Sequence, residues 1–377
     1  MAEQKSQIHA RLEALYQEIA SQVKTFIGYP CTSIFDYEPL FRFLHYPINN
    51  VGDPFAPTTF RLTTKSIERE VLAWFAELTH ALPGDYWGYV TNGGSEGNLY
   101  GLYLAREIHP EGICYYSEET HYSVSKNLGL LKIPHIMIRS QPNGEIDYED
   151  LRETIRIHRD RTPIILANIG TTMKEAIDDI TEIKAILKEM AIHNHYIHCD
   201  SAFSGMTLPF IEDARPWDFA SGIDSLSISG HKFIGSPIPC GIVLAQRKHV
   251  DRIARNIEYI GSLDTTITGS RNGITPVILW YAIETLGKSG FVARVRQCRE
   301  MAQYSVEKLQ AIGQNGWRNP YGLTVIFDRP PESILTKWQI AVKDHIAHII
   351  CLPHVTKAMI DEFTGDIEQA KKEDAPS

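Results

Sequence analysis

Short apolar segments alternate with longer helical segments from about residue 88 onward, and this alternation restricts the possible folds more than any other feature of the sequence. The apolar segments are rich in β-branched and aromatic side chains, which is typical of buried strands. Strands joined by helices form βαβ units around a mainly parallel sheet. The sequence therefore predicts an α/β domain. Its candidate strands are residues 113–116, 135–138, 163–168, 196–199, 225–229 and 241–244, and its candidate helices include 96–107, 148–158 and 180–191.

The sequence pattern divides the whole chain into four parts, one of which contains this region. Residues 1–60 begin with a charged amphipathic helix over 1–19, continue with many aromatic, Pro and Asn residues, and are expected to wrap over another surface. Residues 61–275 would form the large domain. Residues 276–367 predict a small α+β domain, and the polar residues 368–377 a frayed tail. Within the small domain we expect a long helix after Pro276, a strand at 323–327, a helix near 333–342 and a strand at 345–351.

The composition excludes several classes of partner. The formal net charge is -9 and the pI is about 5.9, and no run of Lys or Arg supplies the basic surface that nucleic acid or an anionic membrane requires. No uninterrupted apolar segment is long enough to span a membrane. The six cysteines are scattered without a C-x-x-C pair, which indicates reduced thiols rather than disulfides or a zinc site. We therefore expect a cytoplasmic protein with small ligands.

A glycine-rich segment, Thr91-Asn-Gly-Gly-Ser-Glu-Gly-Asn98, lies between a strand-like stretch and the first helix of the α/β region. Small residues at a helix N-terminus expose N–H groups that favour a phosphate. The spacing matches neither the P-loop nor the G-x-G-x-x-G pattern. The alternative is an ordinary glycine turn with Ser95 as the N-cap, and by itself the segment favours that alternative.

Two charged residues each follow a predicted strand. Asp200 ends one apolar segment, where it would point into the crevice at the carboxyl edge of the sheet and could pair with a protonated pyridine nitrogen. Lys232, in Ser229-Gly-His-Lys232, could form an imine with an aldehyde if its pKa is low enough to supply neutral amine. Taken singly, Asp200 would be a residue that begins a loop and Lys232 a surface lysine. Together with the glycine-rich segment they fit one phosphorylated aromatic aldehyde.

Histidines offer two further interpretations. His121 follows the strand predicted at 113–116, where it could lie against a cofactor ring and assist proton transfer, or serve as a structural histidine beside a helix. His193, His195 and His198 could instead suggest a metal site. Their spacing differs from H-E-x-x-H, and a strand would place His198 on the opposite face from the other two. We therefore predict no metal ion.

Six segments closely resemble the pyridoxal-phosphate-dependent histidine decarboxylases of the bacterial type and the plant serine decarboxylases, which are group II amino-acid decarboxylases. The likeness covers about residues 25–365 in the same order. The many ordered motifs make the resemblance highly specific. The segments are Trp87-Gly-Tyr-Val-Thr-Asn-Gly-Gly-Ser-Glu-Gly-Asn98, Thr120-His-Tyr-Ser-Val124, Asn168-Ile-Gly-Thr-Thr172, His198-Cys-Asp-Ser-Ala202, Ser227-Ile-Ser-Gly-His-Lys232 and Thr268-Gly-Ser-Arg-Asn-Gly273.

The resemblance implies fold type I, the aspartate-aminotransferase-like architecture, with a mainly parallel large sheet of the seven-stranded type, in a homodimer whose active sites lie at the subunit interface. It implies pyridoxal 5'-phosphate as cofactor and α-decarboxylation of an amino acid as the reaction. Lys232 would be the Schiff-base lysine and Asp200 the partner of the pyridine nitrogen. The remaining implied roles are contact with the ring for His121 and Ala202, contact with the phosphate for Gly94, Ser95, Ser229 and His231, phosphate binding from the partner subunit for Ser270, and proton donation to the carbanion for Tyr259.

The identity of the substrate side chain stays open at this point. The loop Gly235-Ser-Pro-Ile-Pro-Cys-Gly241 and Ser204-Gly-Met206 resemble the histidine enzymes, whereas residues 49–55 and 338–341 resemble the serine enzymes. Relatives of both kinds tend to carry a tyrosine where this chain has Phe60, and the loss of that hydroxyl group argues against a polar substrate. We expect L-histidine to be converted to histamine, with L-serine or a small apolar amino acid as alternatives. An aminotransferase, which usually needs an arginine clamp for the substrate carboxylate, and a cofactor-binding scaffold without turnover are the alternative classes.

Overall fold

The computed structural model describes residues 2–253, 255–257 and 262–373. Within these residues the large sheet has seven strands in the order β1-β7-β6-β5-β4-β2-β3. Strands β2 to β6 pair in parallel, whereas β7 is antiparallel to both of its neighbours, so β1 runs in the same direction as β6. The predicted α/β architecture is confirmed. The strands are β1 (Tyr86–Thr91), β2 (Ile113–Ser117), β3 (His135–Ile138), β4 (Pro163–Asn168), β5 (Tyr196–Asp200), β6 (Ser225–Ser229) and β7 (Gly241–Gln246).

Apolar cores cover both faces of this sheet. Successive side chains of a strand point to opposite faces, and accordingly Ile165 and Ile197 belong to one core, whereas Ile164 and Tyr196 belong to the other. Burial on both faces explains why the central strands read as continuous apolar segments. The helices of this region are α2 (Lys65–Leu78), α3 (Gly94–Ile108), α4 (Ser123–Leu131), α5 (Tyr148–Ile157), α6 (Ile180–Glu189) and α7 (Arg247–Val250), and the short 3-10 helices are Ser204–Met206, Leu208–Phe210 and Phe219–Ser221.

A second, smaller sheet follows a long helix. In the described part of the chain its three antiparallel strands lie in the order β10-β12-β11, and they share a core with Ala302, Trp338 and Phe363. The division at residues 275 and 276 stays a prediction, because the long helix runs on across it. The elements are a hairpin of β8 (Arg255–Ile257) and β9 (Ser262–Asp264), then α8 (Ile274–Ala311), β10 (Thr324–Asp328), α9 (Glu332–Trp338), β11 (Ala341–Lys343), β12 (Ile346–Ile350) and α10 (Lys357–Glu373).

Three features of this region differ from the sequence prediction. The helix predicted near 333–342 ends at Trp338, because Gln339 adopts a left-handed conformation with φ 53° and the chain then enters β11. Residues 368–373 continue α10 rather than forming a frayed tail, and the preceding turns of this helix are anchored by the buried Ile360, Phe363 and Ile367. Residues 374–377 of the predicted tail lie outside the described residues. Helix α8 breaks at Gly287, whose φ of 58° and ψ of 174° are accessible essentially to glycine alone.

The N-terminal segment lies against both cores. After α1 (Ala2–Gln22) and the 3-10 helix Val23–Thr25, Ile27 is buried in the small core, and the 3-10 helix Glu38–His45 follows. Tyr37 packs in the large core, with its ring 6.3 Å from that of Tyr281 on α8. The helix predicted over 1–19 is therefore present. In the part of the chain that the structure describes, no helix is both long and apolar enough to cross a membrane.

A buried ion pair fastens residues 49–52 and 268–273 to the large sheet. The side chains of Glu68 and Arg271 are 0% and 1% exposed, and Glu68 accepts a hydrogen bond from Nη1 of Arg271. Glu68 also accepts from the backbone N–H of Val90 at 2.9 Å and from Nδ2 of Asn50 at 2.8 Å, while Nη2 of Arg271 donates to the carbonyl of Gly52 at 2.9 Å. This cluster fixes the position of the loop that carries Ser270.

Candidate active site

A cavity of ≈ 220 Å³ lies at the carboxyl ends of β2, β4, β5 and β6, with the start of α3 beside it. Eight of the ten predicted site residues line this cavity. They are Gly94, Ser95, His121, Asp200, Ala202, Ser229, His231 and Lys232. A wider surface groove of ≈ 890 Å³ near Arg215 and Trp217 contains none of them. The chain thus collects the predicted chemistry at the edge of the sheet where ligands of α/β proteins bind.

The glycine-rich segment forms the turn from β1 into α3. Glu96 holds it, since its carboxylate accepts hydrogen bonds from the hydroxyl of Tyr89 at 2.9 Å and from the backbone N–H of Asn92 at 2.8 Å. The N-cap is Gly93, and no side chain of the described residues caps the helix, so the alternative with Ser95 as N-cap is wrong. The first N–H groups of α3 are therefore available to a ligand.

Gly94 lies in close contact with two other predicted residues. A Cβ atom at this position would lie 2.8 Å from Oγ of Ser229 and 3.3 Å from Cβ of Ala202. The absence of a side chain lets α3 approach the end of β6, and it leaves the Ser229 hydroxyl facing the start of the helix. Backbone N–H groups and a hydroxyl converging beside a helix N-terminus form a suitable site for a phosphate.

Lys232 lies in the turn that follows β6 and is half-buried at the cavity wall. Desolvation lowers its pKa from the ordinary value for a lysine, and the nearby carboxylate of Asp200 opposes part of this effect. The backbone carbonyl of Lys232 accepts a hydrogen bond from the N–H of Thr32 at 3.4 Å, and Nδ1 of the adjacent His231 lies 2.8 Å from the carbonyl oxygen of Cys240. The turn is thus fixed from two sides, and its lysine has the lowered basicity that a nucleophilic amine needs.

Asp200 ends β5 and is only 7% exposed. The backbone N–H of Ala202 donates to its Oδ1 at 3.2 Å, and Nδ2 of Asn98 donates to its Oδ2 at 2.7 Å. Asn98 ends the glycine-rich segment, but the sequence motifs predicted no role for it. Its signal was its place one helical turn after Gly94, which puts both residues on the face of α3 that meets the sheet.

His121 follows β2, lines the cavity and also stands next to the start of α4. Its Nδ1 lies 2.8 Å from Oγ of Ser123. His121 is therefore a histidine beside a helix, as the alternative predicted, and it also lines the cavity. Burial lowers the pKa of His121, the carboxylate of Asp200 raises it, and the positive charge of Lys232 lowers it further. The net direction is downward, which favours the neutral imidazole.

Part of the cavity wall comes from segments of the chain that the motifs did not indicate. Tyr29 belongs to the N-terminal segment, whereas Thr324 and His348 belong to the small sheet. The imidazole of His348 lies between two carbonyl oxygens, with Nδ1 3.0 Å from that of Met173 and Nε2 3.1 Å from that of Gly28. No local sequence signal identifies these residues, because they approach the cavity only through tertiary packing.

A buried carboxylate connects this wall to the large domain. Glu175, with a left-handed φ of 50°, accepts hydrogen bonds from the N–H groups of Leu323 at 2.8 Å and Thr324 at 2.7 Å, and from Oγ1 of Thr324 at 2.6 Å. Ser204 donates to its other oxygen at 3.2 Å. Since Glu175 lies in the loop after β4 and Thr324 begins β10, the bond joins the two sheets directly beside the cavity.

Two predicted site residues are not brought into the cavity of this chain. Ser270 is exposed, and its Oγ accepts a hydrogen bond from Nδ2 of Asn49 at 3.2 Å. Tyr259 lies outside the described residues. Phe60 is 37% exposed and does not line the cavity. Within the described ranges, no group of three or more His, Cys, Asp or Glu side chains is placed to hold a metal ion, and both ring nitrogens of His198 are engaged in hydrogen bonds.

The residues of the cavity fit a phosphorylated aromatic aldehyde. An uncapped helix start and the Ser229 hydroxyl suit the phosphate, and the lysine with a lowered pKa suits the aldehyde carbon. The carboxylate of Asp200 suits a protonated ring nitrogen, because a buried carboxylate is stabilised by a positive partner. This donor set is built from separate segments of the chain that the fold brings together.

Comparisons with known proteins agree with this geometry. The model of the pyridoxal-dependent decarboxylase conserved domain matches residues 62–316. The chain is 47% identical over 362 residues to a histidine decarboxylase of Mesorhizobium japonicum, covering 96% of this chain and 98% of that protein. It is 48% identical over 344 residues to a histidine decarboxylase of Morganella morganii, covering 90% of this chain and 91% of that protein.

Solved structures support the predicted architecture. An L-methionine decarboxylase from Streptomyces sp. 590 superposes with a TM-score of 0.90 at 24% identity, covering 97% of this chain and 95% of that chain. A sphingosine-1-phosphate lyase from Burkholderia pseudomallei superposes with a TM-score of 0.82 at 18% identity, covering 99% of this chain and 91% of that chain. Together with the seven-stranded sheet, these likenesses confirm the predicted fold type I.

Proposed function

We propose that this chain, which belongs to the pyridoxal-dependent decarboxylase family, removes the α-carboxylate of L-histidine and releases histamine and carbon dioxide. The family membership makes the chain a carboxy-lyase that uses pyridoxal 5'-phosphate. The substrate is proposed from the histidine decarboxylases that are 45–48% identical to it over most of its length. One observation carries the proposal, namely that Lys232, Asp200, His121 and the start of α3 line one cavity.

The cofactor supplies the electron-withdrawing ring that lets the Cα–carboxylate bond break, and the protein supplies position and charge. We propose that Lys232 holds the aldehyde carbon, because its lowered pKa provides neutral amine. The N–H groups of Gly94 and Ser95 and the hydroxyl of Ser229 would bind the phosphate, with His231 beside them. This assignment is supported by their convergence around the uncapped end of α3.

Asp200 and His121 would act on the ring itself. The carboxylate of Asp200 is held by Asn98 and by the backbone of Ala202, so its charge has a fixed position against a protonated ring nitrogen. His121, favoured in its neutral form, would contact one face of the ring, with Ala202 at the other face. The wall that holds Tyr29, Thr324 and His348 would then receive the substrate side chain. That wall combines aromatic, hydroxyl and imidazole groups, which suits a polar ring.

A panel of amino acids tests the reaction and the substrate together. Purified holoenzyme should release carbon dioxide and histamine from L-histidine at a higher kcat/KM than carbon dioxide and ethanolamine from L-serine, or any amine from a small apolar amino acid. A keto acid formed without carbon dioxide would identify an aminotransferase. A yellow protein that released neither product would be a scaffold without turnover, and either result would contradict the proposal.

Lys232→Ala tests the covalent site. We expect this variant to lose turnover and to form no borohydride-reducible adduct, whereas reduced wild-type enzyme should carry a pyridoxyl group on Lys232 by mass spectrometry. Lys184→Ala is a matched control, because Lys184 is an exposed lysine whose Nζ donates only to the carbonyl of Ser221 at 2.7 Å among the described contacts. Normal turnover of Lys232→Ala would refute the assignment.

We also propose a homodimer with active sites at the subunit interface. Helix α1 supports it, since its residues Ile8, Leu12, Leu15, Tyr16 and Ile19 share one face and are each at least half exposed. In the dimer, Ser270 of the partner subunit would reach the phosphate and Tyr259 of the partner subunit would give a proton to Cα. The exposure of Ser270 outside its own cavity is consistent with this role.

Sedimentation analysis tests the assembly. Wild-type protein should sediment as a dimer, and Leu12→Glu with Leu15→Glu should shift it toward the monomer, because charges would replace the apolar face of α1. Ser6→Glu, a charge on the polar side of the same helix, should leave the dimer intact. A wild-type monomer with full turnover would contradict a shared active site. We propose the cytoplasm as the location, which the unpaired state of all six cysteines supports.

A further inference from the structure

A row of buried polar side chains begins at Asp200 and Asn98, which both line the cavity, and extends from there into the protein. Asn98 contacts Asp200, His198 contacts Asn98, Ser225 contacts His198 and Tyr196 contacts Ser225. Asn98 is 2% exposed, and His198, Ser225 and Tyr196 are 0% exposed. Four polar residues from α3, β5 and β6 are thus buried in one line, which ends at a single carboxylate.

The carboxylate fixes the direction of every hydrogen bond in this row. An ionised carboxylate only accepts, so Asn98 must turn its Nδ2 toward Oδ2 of Asp200, at 2.7 Å, and its Oδ1 toward His198. Nε2 of His198, 3.0 Å from that Oδ1, must then carry the ring proton and donate. The tautomer of His198 therefore follows from the charge of Asp200.

The outer half of the row continues in the same direction. Burial lowers the pKa of His198 to about 4, so the ring is neutral and its Nδ1 accepts. The hydroxyl of Ser225, 2.7 Å from Nδ1, donates to it and in turn accepts from the hydroxyl of Tyr196 at 2.9 Å. Each donor in the row points toward Asp200, so each bond strengthens the next one.

Helix α3 accommodates this arrangement by leaving space for the imidazole. A Cβ atom on Gly101 would lie 2.2 Å from Nδ1 of His198, a separation that no side chain can adopt. Asn98 and Gly101 are one turn apart on the same face of α3, so the helix supplies both a hydrogen-bond partner and a gap for His198.

We propose that Tyr196, Ser225, His198 and Asn98 form a one-directional hydrogen-bond relay that stabilises the negative charge of Asp200 and so keeps the cofactor's ring nitrogen protonated. The inference rests on the proposed function, in which Asp200 faces that nitrogen. Asn98 lines the cavity beside Asp200, whereas Tyr196, Ser225 and His198 do not. All four would act on the ring through Asp200, so they are positioning residues. Without the relay the negative charge of Asp200 would lose hydrogen-bond stabilisation. The ring nitrogen would then hold its proton less strongly, and the ring would withdraw electrons less strongly.

The state of the ring nitrogen can be measured directly. Holoenzyme reconstituted with pyridoxal phosphate that carries ¹⁵N in the ring reports the protonation of this atom through its NMR chemical shift. The variants are Asp200→Asn, Asn98→Leu, Ser225→Ala and Tyr196→Phe. Ser305→Ala is the matched control, because Ser305 is also 0% exposed but lies in the small domain and donates to the carbonyl of Met301.

We expect a graded response along the relay. Asp200→Asn and Asn98→Leu should move the ring signal toward the unprotonated value, Ser225→Ala and Tyr196→Phe should move it less in the same direction, and Ser305→Ala should leave it unchanged. For Asn98→Leu, kcat should fall roughly 10- to 100-fold with little change in KM, as expected for the loss of a hydrogen bond to a charged group.

The outcomes separate the relay from the proposed function. If Asp200→Asn moves the signal while Asn98→Leu, Ser225→Ala and Tyr196→Phe all leave it at the wild-type position, the relay is refuted and the role of Asp200 stands. If Asp200→Asn also leaves the signal unchanged, Asp200 does not face the ring nitrogen, and the proposed function of this residue fails first. Should Asn98→Leu not fold, Ser225→Ala and the nearly isosteric Tyr196→Phe decide the question.

Discussion

The ion pair of Glu68 with Arg271 provides a quantitative test of how the active-site loop is held in place. Three variants form the test, namely Glu68→Gln, Arg271→Met and the double variant. Each single change leaves a charged group in a region where the side chains are 0% and 1% exposed. The buried Lys65, 4% exposed, adds a second positive charge near Glu68, and burial followed by the charge of Arg271 lowers its pKa.

The expected magnitude follows from this burial. Removal of one partner from a buried ion pair costs about 3–5 kcal/mol of unfolding free energy, because the remaining charge keeps its desolvation penalty without its partner. Glu68→Gln additionally weakens the bonds from Val90 N–H and Asn50. The double variant removes both charges, so it should lose less than the sum of the single variants by roughly 2 kcal/mol or more.

Urea unfolding of the apoprotein, followed by tryptophan fluorescence, measures these free energies. A coupling energy below about 0.5 kcal/mol would show that the two charges act independently. That result would refute a role of the ion pair in holding the loop, whose position would then depend on its other contacts, such as the bonds of Asn49 with Ser270 and Arg271. Arg271→Lys keeps the charge and should lose less stability than Arg271→Met.

Three shorter predictions concern single residues. Gly94→Ala should raise the dissociation constant for pyridoxal phosphate about tenfold or more, because its Cβ would displace the Ser229 hydroxyl, whereas Gly129→Ala, with open space around the new atom, should not. Lys232→Met should stabilise the apoprotein, and the gain should be largest at pH values below the lowered pKa of the folded-state lysine. Its folded pKa is lowered, so the wild type gains stability as pH rises toward the unfolded value, and the difference in urea unfolding should shrink by about pH 10. Gly287→Ala should lower the free energy of unfolding by about 1–3 kcal/mol, because it forces alanine into a glycine conformation.

The large domain could be predicted from the sequence because its signals are local. The strands predicted at 163–168 and 225–229 coincide with β4 and β6, since side chains buried on both faces leave continuous apolar segments. The residues that follow these strands meet at one edge of the sheet, so the sequence alone was enough to place Asp200 and Lys232 together.

The missed features depend on contacts between distant segments. Thr324 and His348 reach the cavity only when the small sheet packs against the large one, and the polar line behind Asp200 needs α3, β5 and β6 side by side. The end of α9 was missed because Gln339 is not the glycine that usually marks a left-handed helix end. The C-terminal residues were predicted to be frayed because the charged surface of α10 concealed its buried stripe.

The bond between Glu175 and Thr324 restricts how the specificity of this enzyme can be redesigned. An exchange of the small domain for that of a relative would replace the part of the cavity wall that contains Thr324. The carboxylate of Glu175, which orients this residue, would remain in the large domain of the present protein. A chimera that lacked a matching hydroxyl at position 324 would leave a charged acceptor incompletely satisfied at the junction. Residues 171–175 and 323–325 should therefore be taken from the same parent protein in a chimera, and libraries that vary one segment should vary the other with it.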